Sequence, residues 1–132
     1  MIRLLIADDE ALERETLADI VARRFEHEVT IETAENGRKA ADTAVLWGAD
    51  LILMDIMMPV MDGLTATRTI RALDRQDAKT IPIIAMTANA FREDAERCME
   101  AGMNAHLAKP LDDEKIKQTI SEELRKQNAC HE

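Results

Sequence analysis

Five short apolar runs recur along this chain, each followed by a helical pattern. That alternation limits the fold more than any other feature. The runs are Ile2 to Ala7, Val29 to Ala34, Leu51 to Met54, Ile81 to Met86 and Asn104 to Ala108. They are too short for buried helices, and acids or turn residues bound them, as expected of strands buried on both faces. Between them lie stripes at helical spacing: Leu12, Leu17, Ile20, Val21 and Phe25; Ala40, Ala41, Ala44 and Val45; Leu64, Thr67, Ile70 and Leu73; Phe91, Ala95, Cys98 and Met99; Ile116, Ile120 and Leu124. Strands alternating with helices imply βαβ units, a parallel sheet and right-handed crossovers that place helices on both faces. The expectation is one α/β domain, doubly wound, over residues 1–126. Residues 127–132 carry no pattern and are expected to form a frayed tail.

Composition narrows the function. Of 132 residues 46% are hydrophobic, with only four Gly and three Pro, so the chain can bury a core and is neither disordered nor fibrous. A formal net charge of −9 argues against a nucleic-acid-binding surface, which needs a basic face. No apolar stretch approaches the roughly 18 residues of a membrane span, and the start runs straight into Asp8-Asp9-Glu10, unlike a signal peptide. With two cysteines, Cys98 and Cys130, a disulfide framework is not expected and a reduced, cytoplasmic setting is the default. One Trp, two Phe and no Tyr leave an aliphatic, Met-rich core.

In an open parallel sheet the reactive groups gather at the carboxyl ends of the strands. Asp8 and Asp9 follow the first run, Asp55 the third, Thr87 the fourth, and Lys109-Pro110 the fifth. Three carboxylates on one edge repel each other. A hard divalent cation resolves the conflict, and all-oxygen ligation points to Mg²⁺ or Mn²⁺. A carboxylate beside such a metal and a lysine suits a covalent aspartyl-phosphate, with Thr87 donating to one phosphoryl oxygen and Lys109 pairing with another.

Taken in order, Ile6-Ala7-Asp8-Asp9-Glu10, Leu53 to Gly63 with its Met-Met-Pro-Val-Met-Asp-Gly ending, Met86-Thr87-Ala88 and Lys109-Pro110 resemble a response-regulator receiver domain over nearly the whole chain. The resemblance implies a flavodoxin-like sheet of order 2-1-3-4-5. It implies that Asp55 accepts a phosphoryl group from a histidine kinase or histidine phosphotransfer protein. It further implies a Mg²⁺ site made of Asp9, bound directly, Asp8, acting through water, Asp55 and the Met57 backbone carbonyl. On the same resemblance Thr87 would follow the phosphoryl group, Lys109 would contact it, and the bond before Pro110 would be cis. The change is read on the helix 4–strand 5–helix 5 face, which also offers a route to a homodimer. Such a module is not an enzyme with an external substrate; it performs its own phosphotransfer and autodephosphorylation.

The chain departs from the family pattern at several points. The switch position of strand five is usually aromatic in the family and here is His106, an imidazole expected to alter the coupling and make it sensitive to pH; the plainer reading is a solvent-facing edge residue. Met57, two residues past Asp55, offers a hydrolytic water no good hydrogen bond, so slow to moderate dephosphorylation is expected. Asn89 stands two past Thr87. Met57 also argues against the rival reading, a Mg²⁺-dependent phosphatase or phosphotransferase with an Asp nucleophile, which places a second Asp there. A third reading is a non-phosphorylated scaffold, against which the intact acids count. Met1 and the lack of an output domain suggest a stand-alone regulator. The segment from Met86 to Pro110 is closer to receivers of hybrid histidine kinases, and the first half to receivers that carry DNA-binding domains.

The remaining features have plain readings. Asp62-Gly63 and Asn36-Gly37 are turns, the second of them with a helix following. Cys98 is a buried small hydrophobe, His27 is exposed near the end of the first helix, and Glu122-Glu123 form a solvated face. Trp47 lies far from the strand ends.

Overall fold

The computed structural model describes residues 2–73, 80–87, 92–108 and 112–131, with the side chains of 92–94 and 127–131 left undescribed. Five strands, β1 (Ile2–Ala7), β2 (Val29–Ala34), β3 (Leu51–Asp55), β4 (Ile83–Thr87) and β5 (Ala105–Ala108), alternate with α1 (Ala11–Arg24), α2 (Gly37–Thr43), α3 (Gly63–Arg71), α4 (Arg92–Ala101) and α5 (Asp113–His131). A π-helical turn, Ala44–Gly48, extends α2. The sheet is parallel throughout, in the order β2-β1-β3-β4-β5.

Burial follows position in the sheet. Every residue of β3 and β4 is buried, whereas the edge strand β2 alternates half-buried and exposed as far as the buried Ala34. Successive side chains point to opposite faces, so the sheet divides the core in two. Leu4, Ile6, Leu51, Leu53, Ile84 and Met86 pack with Leu17, Ile20 and Val21 of α1 and Ile116 and Ile120 of α5. Leu5, Ile52, Met54, Ile83 and Ala85 pack with α2, α3 and α4 on the other face. Ala40, Ala41 and Ala66 let α2 and α3 lie close on that second face.

Three expectations are corrected. Leu12 is 75% exposed: at about 100° per residue it lies some 140° around α1 from Leu17. Met99 is 56% exposed, one residue off the stripe that buries Cys98. Glu123 is not solvated. It lies seven residues after Ile116 on the same helical face, is 5% exposed, and accepts from Lys126 Nζ at 3.3 Å. The backbone of α5 remains helical through residues 127–131, beyond the last apolar position of its stripe. Cys98 is buried and His27, at φ 65°, is exposed, as expected. Phe91, Asn89, Lys109 and Pro110 lie outside the described residues.

The amino end of the sheet is pinned by Arg3. Its Nη1 donates to Trp47 O at 2.8 Å and its backbone N donates to Asp50 Oδ2 at 2.9 Å. With about 3.3 Å of rise per residue, Arg3 and Asp8 stand roughly 16 Å apart along β1. The Trp47 carbonyl is therefore held at the far end of β1 from the acids.

Candidate functional site

The site is built at the carboxyl ends of β1, β3 and β4. Asp8 immediately follows β1, its N–H donating to Ala34 O of β2 at 3.1 Å. It is fully buried, and Asp9 beside it is exposed. Asp8 Oδ1 accepts from Glu10 N at 3.0 Å, which turns the chain into α1. Arg14 reaches back from α1 so that Nη1 donates to the Asp8 carbonyl at 2.8 Å. Nothing in the sequence spacing marked Arg14 for this contact.

Asp55 closes β3 and is 5% exposed. Its Oδ1 accepts from Met57 N at 3.0 Å, which orients the carboxylate within its own loop. One carboxylate oxygen from each of Asp8, Asp9 and Asp55 can be chosen so that all three lie within 4.8 Å of one another. For the buried pair Asp8 and Asp55, that separation corresponds to roughly 3 kcal/mol of repulsion at an effective dielectric of about 20. Such a cluster of hard oxygen donors fits Mg²⁺, which is held by one or two carboxylates and its own waters.

Thr87 ends β4, is fully buried, and pairs with Ala108, the last residue of β5. His106 is exposed on β5 opposite Ala85. Lys109 and Pro110, expected to complete the edge, lie outside the described residues.

The loop after Asp55 is closed on itself. Gly63 N donates to Ile56 O at 3.1 Å, and Val60 takes a positive φ of 67°. A Cβ on Gly63 would lie 2.2 Å from the Asp55 carbonyl oxygen, so only glycine lets α3 begin against the acidic strand end. Asp62 caps α3, accepting from Thr65 N at 2.7 Å. Asn36 likewise caps α2, accepting from Lys39 N at 2.8 Å.

Acids gathered at the switch point between β1 and β3, where the strand order 2-1-3-4-5 of a parallel sheet reverses, place the chain among flavodoxin-like α/β domains. The profile of the response regulator receiver domain matches residues 4–121, and the chain belongs to that family. It is a receiver domain of two-component signalling.

Its relatives include the sensor histidine kinase RcsC of Salmonella typhi, 35% identical over 129 residues, or 96% of this chain and 13% of that protein. RcsC of Escherichia coli K12 is 36% identical over 118 residues, 89% of this chain and 12% of the relative. The chain therefore spans about an eighth of the length of these two relatives. Among solved structures, the receiver domain of the sensor histidine kinase PA1611 of Pseudomonas aeruginosa PAO1 has a TM-score of 0.81 and 32% identity, covering 92% of this chain and 95% of that one. That structure holds a magnesium ion in its active-site cleft. A CheY-like receiver from Methanospirillum hungatei JF-1 shares the fold, with a TM-score of 0.85 and 24% identity over 98% of each chain.

Proposed function

We propose that this receiver domain is a phosphorylation-controlled switch with Asp55 as its phosphoacceptor. The observation that carries the reading is the position of Asp55. It is nearly buried at the end of the central strand β3, its Oδ1 is held by Met57 N, and it lies in one cluster with Asp8 and Asp9. The other carboxylate oxygen would attack phosphorus, forming an O–P bond as the bond to a histidine nitrogen or to an acyl oxygen breaks. The leaving group departs with the electron pair, an imidazole nitrogen taking a proton from solvent and an acyl group leaving as its carboxylate.

Asp9, Asp55 and the Met57 carbonyl would hold Mg²⁺ directly, and Asp8 through water. Bound there, the ion would neutralise the clustered acids and the incoming phosphoryl oxygens. Thr87 would donate its hydroxyl to one of those oxygens, and Lys109, ahead of a cis bond to Pro110, would pair with another. The partner is a histidine kinase or histidine phosphotransfer protein, in line with the hybrid kinases among the relatives. The resulting change would be read on the α4–β5–α5 face, with His106 as the movable edge residue and a homodimer as one outcome. No described helix is long and apolar enough to cross a membrane, and the acidic charge suits a cytoplasmic domain that does not bind nucleic acid itself.

Intact-mass spectrometry after incubation with Mg²⁺ and a small acyl phosphate tests the reading. One added phosphoryl group is expected on the wild type and none on Asp55→Asn or after prior chelation of the metal. Phosphate on both proteins would show that another residue is the acceptor.

A further inference from the structure

The loop from Ile56 to Asp62 is held from outside as well as from within. Gly37, the first residue of α2, donates its N–H to Met61 O at 2.9 Å. The approach is close enough that a Cβ on Gly37 would lie 2.0 Å from Met61 O, 2.7 Å from Met61 C and 2.9 Å from Asp62 O. All three are backbone atoms, so no side-chain rotation could relieve the overlap. Clearing even 3.0 Å from the oxygen needs a shift of 3.0 − 2.0 = 1.0 Å. The same loop carries Met57, whose N–H orients Asp55. Its inner closure is the bond from Gly63 N to Ile56 O. Gly37 thus braces one end of a loop whose other end, at Met57, orients Asp55 of the acidic cluster.

We infer that Gly37 is a positioning residue for the metal-binding loop: its contact with Met61 sets where the Met57 carbonyl and the Asp55 carboxylate stand. The inference rests on the Mg²⁺-binding reading given above. Groups that orient metal ligands without touching the metal typically change its affinity by about 10–100-fold when altered. Gly37→Ala is therefore expected to weaken Mg²⁺ binding at least about tenfold. Linkage makes the effect reciprocal: if the contact favours the ion, the ion must strengthen the contact equally.

The test is Mg²⁺ titration by calorimetry on wild type, Gly37→Ala and Gly48→Ala, with thermal unfolding of each. Gly48 has a positive φ of 79° beside Arg3 at the opposite end of the sheet, so its substitution strains the backbone without reaching the site. Weaker binding by Gly37→Ala alone is the expected result. Wild-type affinity in a folded Gly37→Ala, or equal weakening in both variants, would overturn the inference and leave Gly37 a packing residue. Wild type that binds no Mg²⁺ would overturn the functional reading and this inference with it. If Gly37→Ala does not fold, amide exchange on the wild type decides. Saturating Mg²⁺ is then expected to slow exchange of the Gly37 N–H about tenfold, and an unchanged rate would refute the brace.

Discussion

Replacing Asp8 with asparagine should make the metal-free protein more stable. Asp8 is fully buried, Asp55 nearly so, and oxygens of the two lie within 4.8 Å. Asn keeps the size and an oxygen that can still accept from Glu10 N, so the turn into α1 is preserved. The substitution takes away the Asp8 charge and with it the repulsion with Asp55, roughly 3 kcal/mol at an effective dielectric of about 20. A net gain of about 1–3 kcal/mol is expected, or roughly 4–12 °C in Tm for a domain of this size. The wild type should gain stability from Mg²⁺ by mass action, about 2.7 kcal/mol at a hundredfold excess over Kd, and Asp8→Asn should gain far less. Thermal or urea unfolding of both proteins, with Mg²⁺ and with chelator, reads the whole cycle. If Asp8→Asn is no more stable than wild type in chelator, the clustered charges do not strain the native state and the electrostatic account of the site is wrong.

Three further outcomes follow from the same structure. Met57→Asn should lose phosphate faster than wild type, because an amide can hold the attacking water and a thioether cannot; equal decay of the adduct by mass spectrometry would count against this. Arg71→Ala should cost about 2–3 kcal/mol in urea unfolding, since Nη2 bonds Gly102 O and Asn104 Oδ1 at 2.8 Å each and Nε bonds Gly102 O at 3.0 Å. Burial holds that guanidinium below its ordinary pKa, and Arg71→Lys should rescue little because an ammonium lacks the planar fork. Trp47 fluorescence should barely respond to Mg²⁺, because the tryptophan backbone is tied to Arg3 at the amino end of the sheet; a large quench would contradict that separation.

The features legible in the sequence are those set by local pattern. Leu51 to Met54 read as a buried strand because four apolar residues run together before an acid, and the structure buries all of β3. That the same reading located Asp8, Asp55 and Thr87 on one edge follows from parallel strands, whose carboxyl ends share a side. The strand order did not follow from periodicity; it came with the family resemblance. Glu123 lies on the buried stripe by its spacing from Ile116 and Ile120, although its charge points to a solvated face; position outweighs charge there, with Lys126 as its partner. The contacts of Gly37 with Met61 and of Arg71 with Gly102 left no local trace. They join residues 24 and 31 apart (61 − 37 and 102 − 71) through backbone carbonyls, which any residue type supplies. Asn36-Gly37 therefore showed its turn and hid its partner.

One face of the sheet is closed by helices from opposite ends of the chain, with Arg24 of α1 and Glu114 of α5 paired at 2.9 Å. During synthesis this face stays incomplete for the 114 − 24 = 90 residues between them. At roughly 5–20 residues per second, the apolar flank of α1 waits about 5–18 s for Ile116 and Ile120 to arrive. The domain thus finishes folding only as its last helix is made, and a truncation within α5 would strip cover from the first helix, not merely shorten the last.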